Sequence, residues 1–85
     1  MSSKLSSSFT EKQGQYLAFI HTYTLLNRQS PAEADFQRFF GVTPPAVHDM
    51  IVGLERRGLI SRVPRQPRSI QLLVSAADVP QLQSI

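Results

Sequence analysis

Apolar residues recur along this chain first at helical spacing, in three separate stretches, and then in strict alternation. Thr10 with Gln13 three residues later reads as a capping box, and Tyr16, Leu17, Ile20, Tyr23 and Leu26 follow at helical intervals. This predicts a first helix over about Glu11–Leu26, with an apolar arc wide enough to be covered from more than one side and a weak point at Gly14. Ser30, Pro31 and Glu33 form a second start signal: a capping serine, a proline in the first turn and an acid after it. The predicted helix, Pro31–Phe40, presents Phe36, Phe39 and Phe40 and stops at Gly41. Thr43 caps a third helix whose first turn tolerates Pro44 and Pro45, because first-turn amides have no helical acceptor. Val47, Met50, Ile51 and Leu54 supply its inner face until Gly58.

Beyond Gly58 the period drops to two. Leu59–Val63 reads as one strand, Ile70, Leu72 and Val74 alternate along a second, and Pro64–Pro67 is the loop between them. The core expected from these patterns comprises Leu17, Ile20, Phe36, Phe40, Val47, Ile51, Leu54, Ile60, Ile70 and Leu72. Residues 1–8, with five serines, are expected to be a disordered leader; residues 9–74 form the domain. Residues 75–85 remain an unassigned tail, with Val79, Leu82 and Ile85 as its docking side chains.

Composition narrows the function. Eighty-five residues, 41% of them hydrophobic and none cysteine, make one packed core without disulfides or thiolate metal sites, and leave no room for a cleft between two domains. No apolar run approaches the ~20 residues of a membrane span, and no signal-peptide pattern opens the chain, so the expectation is a soluble cytoplasmic protein. The net charge of +3 is unevenly placed. Through residue 50 the signs cancel, whereas Arg56, Arg57, Arg62, Arg65 and Arg68 crowd thirteen residues without an acid. Such a cluster suits a polyanion. His21 and His48 are the only histidines and lack further ligands at metal-binding spacing; His48 and Asp49, as helix neighbours, cannot act as base and orienter. We read no enzyme, cofactor or metal site.

Helix, short turn, helix and basic hairpin is the order of a winged helix-turn-helix, mainly α with a small antiparallel hairpin. In that fold the later of the paired helices enters the DNA major groove and the wing touches backbone or minor groove. At about 100° per residue from Val47, Ile51 lies at about 40°, Leu54 at about 340° and Met50 at about 300°, the inward arc. Opposite them fall Val52, Pro45, Arg56 and Asp49, between about 140° and 200°, flanked by His48 and Gly53. Val52 there suits a thymine methyl, and Asp49 a cytosine amino group or simply the helix dipole. Gly53 in a helix interior is suited to close approach of another backbone or to packing against a neighbouring helix.

The run Leu54, Glu55, Arg56, Arg57, Gly58, Leu59, Ile60 is shared by many winged-helix families, MarR-like and metal-dependent repressors among them. Combined with the proline-initiated second helix and the wing Pro67, Arg68, Ser69, Ile70, the segment from Ser30 to Leu73 resembles the DNA-binding domain of LexA-type repressors. Phe9 to Tyr23 resembles that family's first helix more loosely. The resemblance implies double-stranded DNA as partner, with base-contacting positions at Thr43, Pro45, Ala46, His48 and Asp49. Ala46 and Asp49 match the family's alanine and acid. Pro45 stands for an asparagine or serine, His48 for an acid, and the turn Gly41–Pro44 is one residue shorter, so the family's operator sequence does not carry over. With eleven residues from Ser75 onward, the family's self-cleaving, dimerising domain is not expected here, and the tail is the apolar material expected to pair a homodimer.

Arg56, Arg62, Arg65 and Arg68 are expected to hold DNA backbone, with Thr43 capping its helix and touching phosphate. For Arg68 the competing expectation is a salt bridge to an acid such as Glu55. The rival function is a winged-helix module that binds protein, a DNA-binding partner among the candidates, since fold alone does not fix function.

Overall fold

The capping box at Thr10 forms as read: its hydroxyl accepts from the Gln13 N–H at 3.0 Å, and the Gln13 side chain accepts from the Thr10 N–H at 2.9 Å. From it runs α1, Glu11–Asn27, in a computed structural model that describes residues 9–83. The expected leader and Ile85 lie outside the described residues. Helix α2 spans Glu33–Phe40 and α3 Pro44–Arg56; β1, Ile60–Ser61, pairs antiparallel with β2, Gln71–Leu72, and a single 3₁₀ turn follows at Ala76–Asp78. The architecture is a winged helix: three helices and a two-stranded hairpin.

Aromatic rings join α1 to α2. Tyr16 stacks on Phe40 with ring centroids 4.4 Å apart and on Phe36 at 5.3 Å, while Phe19 contacts Phe36 at 5.0 Å and Phe39 at 4.8 Å. Val47, Ile51 and Leu54, the inward face of α3, are fully buried against this cluster together with Leu17, Ile20, Phe36 and Ile60. Each such side chain contributes about 1.5–3 kcal/mol by leaving water. Phe40 and Leu72, expected in the core, are only half-buried and pack at its edge. Leu26 departs further, being 77% exposed, because the last turn of α1 extends past the elements that cover its middle.

The start of α2 corrects the sequence reading. Ala32, not Ser30, occupies the cap, and the third helical residue, Asp35, accepts from the Ala32 N–H at 2.8 Å. Pro31 is fully buried and spent on packing, and the Ser30 hydroxyl is buried without a partner. The helix therefore begins two residues late. Its end is as expected: Gly41 takes φ +65°, and its N–H closes onto the Gln37 carbonyl at 2.9 Å.

The strands are shorter than their alternation suggests, with Ile60 opposite Leu72, Ser61 opposite Gln71, and one further bond from the Leu73 N–H to the Leu59 carbonyl at 2.9 Å. Pro64 and Pro67 cannot donate to a ladder, and Ser69 replaces it locally. Its hydroxyl accepts from the Val63 N–H at 2.8 Å and turns its proton toward the Gln66 carbonyl at 2.8 Å and the Val63 carbonyl at 3.1 Å.

The tail docks on its own domain. Val79 and Leu82 pack against the core, and the Gln15 side chain donates to the Gln81 carbonyl at 3.0 Å and accepts from the Gln83 N–H at 2.9 Å. Gly14 explains the close seating: a Cβ there would stand 3.0 Å from Pro80 Cγ and 3.1 Å from Phe9 Cε1. Val79 and Leu82, two of the apolar side chains anticipated for pairing two copies, are thus packed within one chain. Among the described residues, no helix is long and apolar enough to cross a membrane.

Candidate nucleic-acid interface

Burial of Val47, Ile51 and Leu54 obliges the opposite face of α3 to point outward. Thr43, Pro45, Ala46, His48, Asp49 and Arg56 are all exposed, and Val52 and Gly53 are half-buried between them. Thr43 caps the helix through a long 3.4 Å contact from the Ala46 N–H. The absence of an acid in the first turn of α3 leaves its positive dipole end unneutralised by its own residues. Near the same end, His48 Nδ1 lies 3.5 Å from a Glu33 carboxylate oxygen at the start of α2.

Two of the arginines expected on phosphates have partners within the chain. Arg62, half-buried, donates through Nε to Glu55 at 3.0 Å, so the base of the wing is tied to the last turns of α3. Arg68 does form the competing structural bridge, but its acid is Asp35: the guanidinium reaches Asp35 at 3.2 Å, the Tyr23 hydroxyl at 3.1 Å and the Ser30 carbonyl at 3.0 Å. It also lies over the Tyr23 ring, 5.9 Å from the centroid. Glu55 pairs with Arg62 instead.

Asp35 is the hub that sequence reading missed. Only 6% exposed, it accepts from the Ala32 N–H and pairs with both Arg38 and Arg68. Burial pushes its carboxyl up, yet the Ala32 N–H, the Arg68 and Arg38 charges and the Tyr23 hydroxyl outweigh that and hold it below the ordinary value. An acid three residues behind a helix start was a readable capping signal; its partner across the fold was not.

Arg56 and Arg65 are exposed, and their side chains make no hydrogen bond or ion pair among the described residues. Arg65 stands at the wing tip with φ +68°, in the left-handed region that favours glycine. The Gln66 N–H bonds the Val63 carbonyl at 3.1 Å across it, which makes Pro64 and Arg65 the two corners of a tight turn. Large exposed apolar side chains are Leu25 and Leu26 on α1 and Val63 and Leu73 in the hairpin; α3 carries none among the described residues. Nor do the described residues hold three His, Asp or Glu side chains grouped to bind a metal ion.

No protein-family model matches the chain. It is similar to the LexA repressor of Thermosipho melanesiensis, at 41% identity over 64 residues, and to that of Thermosipho africanus, at 38% over 64 residues. Each match takes in 75% of this chain but 32% of the repressor, so the chain spans about a third of the length of these relatives. The resemblance read from the second helix, the third helix and the hairpin is borne out.

Proposed function

From a chain that is LexA-like over three-quarters of its length, we propose a double-stranded-DNA-binding regulator of transcription that sets α3 in the major groove and its wing along the backbone. The observation that carries this reading is the two-sidedness of α3, fully buried at Val47, Ile51 and Leu54 and exposed from Thr43 to Arg56 on the other side, with a basic wing beyond. In this reading Pro45, Ala46, His48 and Asp49 meet base edges, Val52 a thymine methyl, and Thr43 a phosphate at the helix start. Arg56 and Arg65 are the direct phosphate ligands. Arg62 and Arg68, drawn into ion pairs with Glu55 and Asp35, brace the wing instead of contacting phosphate first.

A single module of this size offers DNA about 600–1,000 Å² of interface, so one copy on one half-site binds modestly. Pairing through the tail would have to lift Val79 and Leu82 off the core; we therefore read each copy as docking on its own. The absence of large exposed apolar residues from α3 favours DNA over a protein partner on this face. Selection of bound duplexes from a random pool tests the reading. Enrichment of a defined sequence is expected, and recovery of no duplex at low salt would sink it.

A further inference from the structure

Gly53 has no explanation inside the fold. It sits in the interior of α3, where only proline is less favourable to helix, and its backbone is neither left-handed nor crowded. A Cβ built on it meets nothing within 4 Å, in contrast to Gly14, whose Cβ would press on Pro80 and Phe9. Packing against a neighbouring helix, one of the two roles its position suggested, is thereby removed. What remains is close approach by something outside the chain.

We propose that Gly53 is the point where a DNA sugar-phosphate strand comes closest to α3, its missing side chain letting the strand reach the helix backbone. The inference rests on the DNA-binding reading above and adds a contact to it. The occupant follows from charge and position. On the helical wheel Gly53 lies at about 240°, between Asp49 at about 200° and Ala46 at about 260°, so it shares the outward face of the helix. Exposed Arg56 follows about one turn later on that face, and exposed Arg57 caps the helix end. The neighbouring acid Glu55 is already neutralised by Arg62. Asp49 repels phosphate, which directs the strand to the C-terminal side of Gly53, toward Arg56. A side chain at position 53 would hold that strand away from Arg56 and weaken a charge-assisted contact that needs near-contact distance.

The test uses the full chain and two variants, Gly53→Ala and Gly53→Leu, titrated by fluorescence anisotropy against a generic 30-base-pair duplex at low salt. Both substitutions favour helix and place their Cβ in open space, so each should raise Tm, by about 3–8 °C for a domain of this size. Affinity should nevertheless fall, about tenfold for alanine and further for leucine, because phosphate contacts set the position of the whole module. Raised Tm with unchanged affinity would overturn the inference while leaving the DNA reading intact. Lowered Tm would also overturn it, since Gly53 would then be needed within the fold. Failure of the unaltered chain to bind any duplex would instead remove the DNA reading itself, and this contact with it.

Discussion

The wing tip combines a strained backbone and an unpartnered charge in one residue, and two substitutions at Arg65 separate them. In the left-handed region a side-chain-bearing residue loses roughly 1–2 kcal/mol relative to glycine. Glycine in turn loses roughly 0.5–1 kcal/mol more on folding through its freer unfolded chain. Arg65→Gly should therefore leave stability unchanged or raise it by up to about 1.5 kcal/mol, a Tm rise of at most about 12 °C. Arg65→Ala keeps φ +68° and the strain, so its Tm should stay put. Neither variant disturbs the bonds that hold the loop, which come from Ser69 and from the Gln66 N–H. Both remove the same cation. If Arg65 neutralises one phosphate, each lowers the slope of log affinity against log salt by about 0.9. Between 50 and 200 mM salt the loss of affinity would then be ~3.5-fold smaller than for the unaltered chain. Thermal melting and anisotropy titrations at four salt concentrations provide both readouts. An unchanged slope in both variants would show that Arg65 touches no phosphate; a Tm that falls with glycine would show that the turn is not strained.

Leu54→Ala empties a fully buried site under α3 and should cost about 2–5 kcal/mol in denaturant melts; no change would mean that the face assigned to the core is wrong. Gly14→Ala should fail to give the stabilisation expected of Gly53→Ala, because Pro80 and Phe9 stand at 3.0 and 3.1 Å from the new methyl. Deleting residues 79–85 should lower Tm and leave the sedimentation coefficient that of the same oligomer; conversion of a dimer to monomer would show that the tail pairs copies. Asp35, with its carboxyl held below the ordinary value when folded, contributes stability that is complete above the unfolded carboxylate pKa of about 3.9 and is lost as pH falls through the lower folded value. Asp35→Asn should flatten that acid limb of the stability-versus-pH curve and loosen the wing, and an acid limb of unchanged steepness would argue against the hub.

Much of this protein is readable from signals a few residues long. Thr10 with Gln13, Gly41, Thr43 with Pro44, and the spacing of Val47, Ile51 and Leu54 each state a local preference that no distant residue overrides. That is why the helix order and the inward face of α3 match the expectation. The exposed face of α3 was legible as the complement of its core face, and the basic wing as a run of arginines.

What the arginines do was not legible, because an ion pair depends on where the fold brings two charges and not on their spacing in sequence. Arg68 reaches Asp35 across 33 residues, and it is the packing of β2 against α1 that brings it to this acid and not to Glu55. The same packing left Arg65 and Arg56 without partners. The two helical glycines make the point by their difference. Both look equally unfavourable in a sequence, yet the tertiary structure fills the space beside Gly14 with the returning tail and leaves the space beside Gly53 open. Periodicity determines which way a side chain points, since the backbone repeats locally; what waits at the end of it is set by long-range packing, which no local pattern encodes.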